Sequence, residues 1–352
     1  MRRRWKSMIG VAVVAVLAVA VLCGASALLT PHVKAENPEM FLLKEALASA
    51  HGDACDVVFL GDCEVYSTFS PVTLWQTGGI AARVYGSPQQ LLWHSEAILR
   101  EVLRRESPRV VVLGVYGLCY DAPQSEAYNR MALDALPLSA DKLAAVRASM
   151  TEGENFLSYV FPLLRYHGRW SQLTWTDVRT LWQAQEAVSY DGYLLRREII
   201  AASSARPDHT GAMPPSHASF GETAMRYLER IAALCRESGI PLVLVKAPTD
   251  SWRYPWYDEY EEQIRAWAED HGVAYYNLLE AFDTIGLDLT TDSYDGGTHL
   301  NVWGADKVSA YFAGVLMRDF ELPDRRQEAA VCAVREPLAE RYVREREWRA
   351  EE

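Results

Sequence analysis

A parallel α/β sheet carried behind one membrane-length helix is the fold class this sequence predicts, and three observations predict it. Met8 to Leu29 contains no charged side chain. Beyond it, short apolar runs bounded by glycine alternate with stretches of helical period, and strands that alternate with helices build a parallel sheet covered on both faces. The 352 residues are 49% apolar and 23% charged, the balance of an ordinary globular body long enough for one large domain.

The N-terminus comes first. "MRRRWKS" (residues 1–7) is a basic flank, and residues 8–29 are long enough to cross a hydrocarbon core of about 30 Å. Such a flank stays cytoplasmic, so everything after Thr30 is expected outside, on a single-pass anchor in the cell membrane. The alternative is a cleaved signal peptide with Ala25-Ser26-Ala27 as its cleavage site, but the apolar run exceeds the usual 7–15 residues of such a leader. Net charge is −12, and four of the 35 bases lie in the first six positions, so the body is more acidic still. An acidic body is a poor partner for phosphate backbones, which excludes nucleic acid as the expected partner.

Residues 30–52 read as a linker ending in a helix at Phe41–Ser49, and a domain follows over 53–322. Its strands are expected at Asp56–Leu60, Ala81–Tyr85, Arg109–Val115, Pro241–Lys246 and Val273–Asn277. Each is a short apolar run between turn residues. Leu91, Leu92, Ser95, Ile98, Leu99, Val102 and Leu103 share one helical face, with Ser87 as the expected N-cap and Pro88 in the first turn. Further helices are expected at Phe220–Ser238, Glu259–His271 and Val302–Phe320. Residues 121–218 interrupt the alternation and read as a helical insertion over the sheet edge, plausible as a lid, with a loop rich in Pro, His and Ser at 206–218. Residues 323–352 carry Glu340/Arg344 and Glu345/Arg349 at i,i+4, the pattern of a solvated charged helix or exposed tail.

The six cysteines show no CxxC pair and no disulfide spacing. No phosphate-binding glycine loop, dinucleotide fingerprint or GxSxG elbow occurs, and no cofactor is called for. His209 and His217 share a loop without metal-ligand spacing. What remains is "GDCE" at 61–64 and "YDGGTHLNVWGADKVS" at 294–309. In parallel sheets ligands bind at the carboxyl ends of strands, where Cys63 stands directly after the first one. A nucleophile needs a base, and the base an orienting partner. His299 supplies the base; Asp295, or else Asp292, supplies the partner. The two glycines before His299 would let both side chains face one pocket. Set against this, Cys63 could be a packed small side chain, and His299 a cap on the last helix. "KAPT" at 246–249 ends a strand at the same edge.

These motifs, in this order, resemble the SGNH/GDSL hydrolase family. "HLNVWGADKVS" is similar to the end of its membrane-anchored cell-envelope branches, among them polysaccharide O-acetyltransferases and the D-alanyl-lipoteichoic acid biosynthesis protein, which also has a Glu behind its nucleophile. The resemblance covers residues 55–118 and 219–320. It implies a flavodoxin-like three-layer sandwich with a five-stranded parallel sheet, and acyl-ester chemistry on an envelope polysaccharide, by hydrolysis or transfer. By position it implies Cys63 in place of the family's serine, Gly86 as oxyanion glycine, His299 as base and Asp295 as its partner. Three departures stand out: Ser has become Cys, Asp and His are separated by three residues instead of two, and "LGVYGLCYD" lacks the family's GxND. Gln89 and Asn129 stand in as candidates for the missing oxyanion asparagine. The alternative is a catalytically inactive module of the same fold that binds glycan or scaffolds an envelope assembly.

Overall fold

The computed structural model describes residues 2–49, 54–207, 219–249 and 257–347. The His209 and His217 loop, and most of the 206–218 stretch, lie outside the described residues. The chain divides into two compact units, Met1–Asn37 with Glu152–Ala187, and Pro38–Thr151 with Val188–Glu352.

In chain order the helices begin with α1 (Arg2–Leu29), α2 (Leu42–Ser49), α3 (Cys63–Thr68), α4 (Pro71–Gly78) and α5 (Leu92–Val102). The middle of the chain gives α6 (Glu126–Leu133), α7 (Ala140–Ser149), α8 (Leu157–Val160), α9 (Leu163–Tyr166) and α10 (Trp175–Thr180). The rest are α11 (Glu222–Glu237), α12 (Tyr257–His271), α13 (Phe282–Ile285), α14 (Val302–Phe320) and α15 (Ala329–Glu347). Five strands interleave with them: β1 (Val57–Gly61), β2 (Ala82–Gly86), β3 (Val110–Gly114), β4 (Leu242–Lys246) and β5 (Ala274–Asn277).

The strands form one sheet in the order β2-β1-β3-β4-β5, every pair parallel. β1 to β4 are buried at every residue; β1 and β3 are apolar runs of Val, Leu and Phe ending in Gly, as strands covered by helices on both faces require, while β2 and β4 also bury Arg83 and Lys246. On one face Phe59 stacks on Phe69 at 4.7 Å and both meet Phe312 of α14, so α4 and α14 close that layer. α5 packs on α11, and α7 packs on α5.

Three expectations change. The helix after β2 starts at Leu92 with Leu91 as N-cap, not at Ser87. Gln90 explains the delay: its amide donates to Tyr85 O (3.2 Å) and Ser95 Oγ (3.1 Å), and Ser87 Oγ donates to its carbonyl (3.0 Å). These bonds hold 87–91 as a loop, with Gln89 at φ +48°. The insertion is not one body, since Glu152–Ala187 groups with α1 while α6, α7 and the chain after Val188 stay with the sheet. The C-terminal stretch is a docked helix in place of an exposed tail: Val331, Arg335, Ala339 and Tyr342 of α15 are buried. In the smaller unit, α1 is the one described helix long and apolar enough to cross a membrane.

Candidate active site

Three neighbouring strands end in glycine, and that is what seats the first site residue. Gly61 and Gly86 face each other on the last rung of β1 and β2, and Gly114 closes β3. A Cβ at Gly61 or Gly114 would collide with Val65 Cγ2, and one at Gly86 would lie 3.1 Å from Tyr66 Cβ. The bare backbone therefore lets α3 settle directly on the strand ends. Asp62 caps the helix, its Oδ1 accepting from the Glu64 N–H at 3.1 Å. Cys63 is the first helical residue, half-buried at the carboxyl edge of the sheet.

Burial pushes the Cys63 thiol well above its ordinary pKa, and the carboxylates of Asp62 and Glu64 push it further. The backbone N–H groups of Cys63 itself and of Gln89 favour the thiolate and act the other way. The two acids flanking Cys63 are held differently. One oxygen of Asp62 caps the turn, but Oδ2 is buried with no hydrogen-bond partner among the described residues, and burial followed by Glu64 raises its carboxyl well above the usual range. Glu64 accepts from Thr249 Oγ1 at 3.3 Å and lies 3.7 Å from Lys246 Nζ. Its pKa is raised by burial, against the pull of Lys246 and His299, and burial lowers that of Lys246.

The expected base, His299, lies in the loop before α14. His299 Nδ1 meets Asp295 Oδ2 at 2.5 Å, and the His299 N–H donates to Asp295 Oδ1 at 2.8 Å. The extra residue in the Asp–His spacing is absorbed by Gly296 and Gly297, at φ +84° and +105°, where a side chain would be strained. Ser293 Oγ pins the reversal by accepting from Gly297 N–H (2.6 Å) and Asp295 N–H (3.2 Å). Burial pushes the Asp295 carboxyl up, but the bonds from His299 outweigh it and hold its pKa below the usual value. Asp292 is excluded as the partner, because Lys307 Nζ (2.7 Å) and the Asp288 N–H (2.8 Å) occupy it. Nor does His299 cap the last helix: Asn301 does, accepting from Trp303 N–H and Gly304 N–H, both at 3.2 Å.

His299 Nε2 is buried and has no hydrogen-bond partner among the described residues. Tyr294 stacks on the imidazole with centroids 5.6 Å apart and rings 10° from parallel, and its own pKa is raised in part by Cys63. Glu64 acts on Cys63 and feels His299. Thiol and imidazole are thus linked electrostatically through the same two residues.

The other expected residues fall differently. Gly86 packs against Tyr66, and the neighbouring backbone N–H that favours the Cys63 thiolate belongs to Gln89, three residues on. Asn129 is fully buried with its amide donating to Ser149 O (2.7 Å), in a cluster where Ser149 Oγ also holds Trp93 and His94. It belongs to the packing of α5, α6 and α7. The 3-10 turn Val115–Cys119 stands where GxND was missing, and Tyr116 and Tyr120 within this stretch feel Asp62. Sequence reading missed the segment after Asp191. Leu194 N–H bonds Tyr66 O, Val302 N–H bonds Arg196 O, and Ile200 bonds both Ser293 and Gly296, bracing α3 and the His299 loop. Isolated aromatic and aliphatic residues gave no periodic signal there. Arg196 also lies over Tyr294 at 5.8 Å. Among the described residues no group of His, Cys, Asp and Glu could hold a metal ion. No protein-family model matches the sequence, and no curated protein matches it.

Proposed function

We propose that this chain is a membrane-anchored acyl esterase or O-acyltransferase of SGNH type, acting on a cell-envelope glycan through Cys63, His299 and Asp295. The observation that carries the reading is His299, with Nδ1 locked on Asp295 and Nε2 buried with no hydrogen-bond partner among the described residues, stacked on a Tyr294 that feels Cys63. An imidazole arranged this way is oriented for proton transfer and not consumed by packing. The sheet order β2-β1-β3-β4-β5 supports the same reading, since it is the flavodoxin-like order in which ligands sit at the carboxyl ends of central strands.

The chemistry follows from the raised thiol pKa. Cys63 rests as the neutral thiol, so the step resembles serine catalysis and does not start from a preformed ion pair. Nε2 of His299 takes the S–H proton as Sγ attacks the ester carbonyl. The oxyanion forms beside the N–H groups of Cys63 and Gln89. His299 then returns the proton to the departing alkoxide, leaving a thioester on Cys63. Water, or a sugar hydroxyl, loses its proton to His299 and attacks that thioester, regenerating the thiol. Asp295 steadies the transient imidazolium throughout.

The basic flank and α1 would hold the body outside the cytoplasmic membrane, where such polymers are made. Incubating the full chain in detergent with p-nitrophenyl acetate should give a stoichiometric acetyl adduct on Cys63 by peptide mass spectrometry. Cys63→Ala should give none, and His299→Ala should slow acylation by about 10²-fold or more, the usual scale of general-base catalysis. An unmodified Cys63 in wild type, with glycan binding retained, would favour the inactive glycan-binding module, for which the suppressed thiol acidity is the supporting observation.

A further inference from the structure

The smaller unit has three features that acyl chemistry does not use. α9 and the 3-10 turn His167–Gln172 pack against α1, leaving an apolar groove of about 510 Å³ lined by Val19, Leu22, Cys23, Ser26, Phe161 and Leu164 among others. Polar bonds in this unit gather at the end of α1. Arg169 donates to Leu29 O (3.2 Å) and pairs with Asp177 (2.5 Å), a ring nitrogen of His32 meets Asp177 O (2.6 Å), and the Gln185 amide bonds His32 O (2.8 Å). Finally, Phe161 is 57% exposed, and Trp170, Trp175 and Trp182 are 72%, 75% and 78% exposed.

Depth along α1 connects them. At about 1.5 Å per residue, Val19 lies roughly 15 Å from Leu29, halfway through a hydrocarbon core of about 30 Å. Whatever packs against Val19 to Ser26 sits at the level of lipid tails once α1 spans. The polar bonds coincide with the helix end, where headgroups begin, and the apolar groove with the layer beneath. Three tryptophans and Phe161 facing water would be costly, whereas tryptophan at a membrane boundary and apolar helix faces just below it are stable placements. The lining residues of α1 continue the surface of a helix that has an 18-residue apolar window with no buried residue. Lipid, and not a second polypeptide, is the continuous neighbour of that surface.

We propose that Glu152–Ala187 is a monotopic platform seated in the leaflet around the C-terminal end of α1, with a lipid acyl chain filling the groove. The inference rests on the reading of α1 as membrane-spanning. The chain is then held at two points, by a span and by a platform that fixes its rotation about the span.

The test uses the full chain carrying Trp5→Phe, reconstituted in phosphatidylcholine vesicles brominated near the top of the acyl chains. Tryptophan quenching is compared with that of the same protein also carrying Trp170→Phe, Trp175→Phe and Trp182→Phe, exposed positions where the fold tolerates the change. Loss of most of the quenching in the triple variant is the expected result. Equal quenching in both proteins, with both resisting carbonate extraction, overturns the platform and leaves the anchor standing; a second copy or another protein covering this face gives that outcome. Release by carbonate overturns the anchor, and the platform with it.

Discussion

Cys63 carries burial and two neighbouring carboxylates at once, and the combination decides how it reacts. Since a thiol alkylates as its thiolate, a raised pKa moves the alkylation profile to higher pH. Iodoacetamide labelling of Cys63, followed by peptide mapping, should therefore show a midpoint above the ordinary value of about 8.5. Asp62→Asn removes a negative charge that opposes the thiolate, so the midpoint should fall; a midpoint below the ordinary one in wild type would sink this electrostatic account. The same reasoning makes Cys63→Ser informative. If His299 deprotonates a neutral nucleophile, a hydroxyl can occupy the same place, and the serine variant should retain measurable esterase activity. Asp295→Asn should cost about 10²–10⁴-fold in acylation by leaving the imidazolium unsupported and the tautomer unfixed. The expected and observed identities of this dyad agree because glycine spacing is a local property. The left-handed backbone of Gln89 was not legible, because a backbone conformation bears no side-chain signature and follows here from the loop that Gln90 holds.

At the scale of elements, each site-forming strand ends on a residue with no side chain, and α3 uses the room. Gly114→Ala would drive a methyl group into Val65 Cγ2, displacing α3 from β3. Overpacking of this kind costs typically 1–3 kcal/mol. The variant should lose thermal stability and, more tellingly, acylate Cys63 more slowly, because the thiol rides on the displaced helix; an unaltered acylation rate would show that α3 position is not critical. The strands and α14 were legible because apolar runs between turn residues, and a helical stripe of Val308, Phe312, Val315 and Leu316, encode their own geometry. The start of α5 was not. Ser87-Pro88 is a sound local signal, and it lost to Gln90, whose side chain satisfies the loop through Tyr85 and Ser95. α15 was hidden for a different reason. Its buried face is Val331, Arg335, Ala339 and Tyr342, so the stripe is recognisable only if an arginine is counted as interior.

That buried arginine is where the larger unit ties its C-terminus to its sheet. Arg335 Nη1 donates to Ala82 O at 3.0 Å and pairs with Asp191, while Nη2 donates to Ala54 O at 3.3 Å. Asp191 also lies 3.5 Å from Arg83, which pairs with Glu106, so two guanidinium groups and two carboxylates share one dry cluster beside β2. Asp191 O in turn accepts the Val84 N–H and starts the segment that braces α3 and the His299 loop. One charge group thus joins residues near positions 54, 83, 191 and 335, contacts too distant in sequence for any local pattern to announce. Removing one member of a buried ionic cluster leaves its partner charged and unpaired, at a typical cost of 3–5 kcal/mol. Arg335→Met, which keeps much of the volume, should accordingly lower Tm more than Tyr342→Phe, which forfeits hydroxyl bonds, among them the one to Asp306 at 2.6 Å, where a bond to a charged group is worth about 1.5–3 kcal/mol. Adding Asp191→Asn to Arg335→Met should recover part of the loss, because the second change discharges the orphaned carboxylate. Thermal unfolding of these proteins and wild type, with Asp191→Asn alone as the fifth, decides it. If Arg335→Met matched Tyr342→Phe, or if the double variant were simply additive, the cluster would be a passive contact and α15 would owe its docking to Val331, Ala339 and Tyr342 alone.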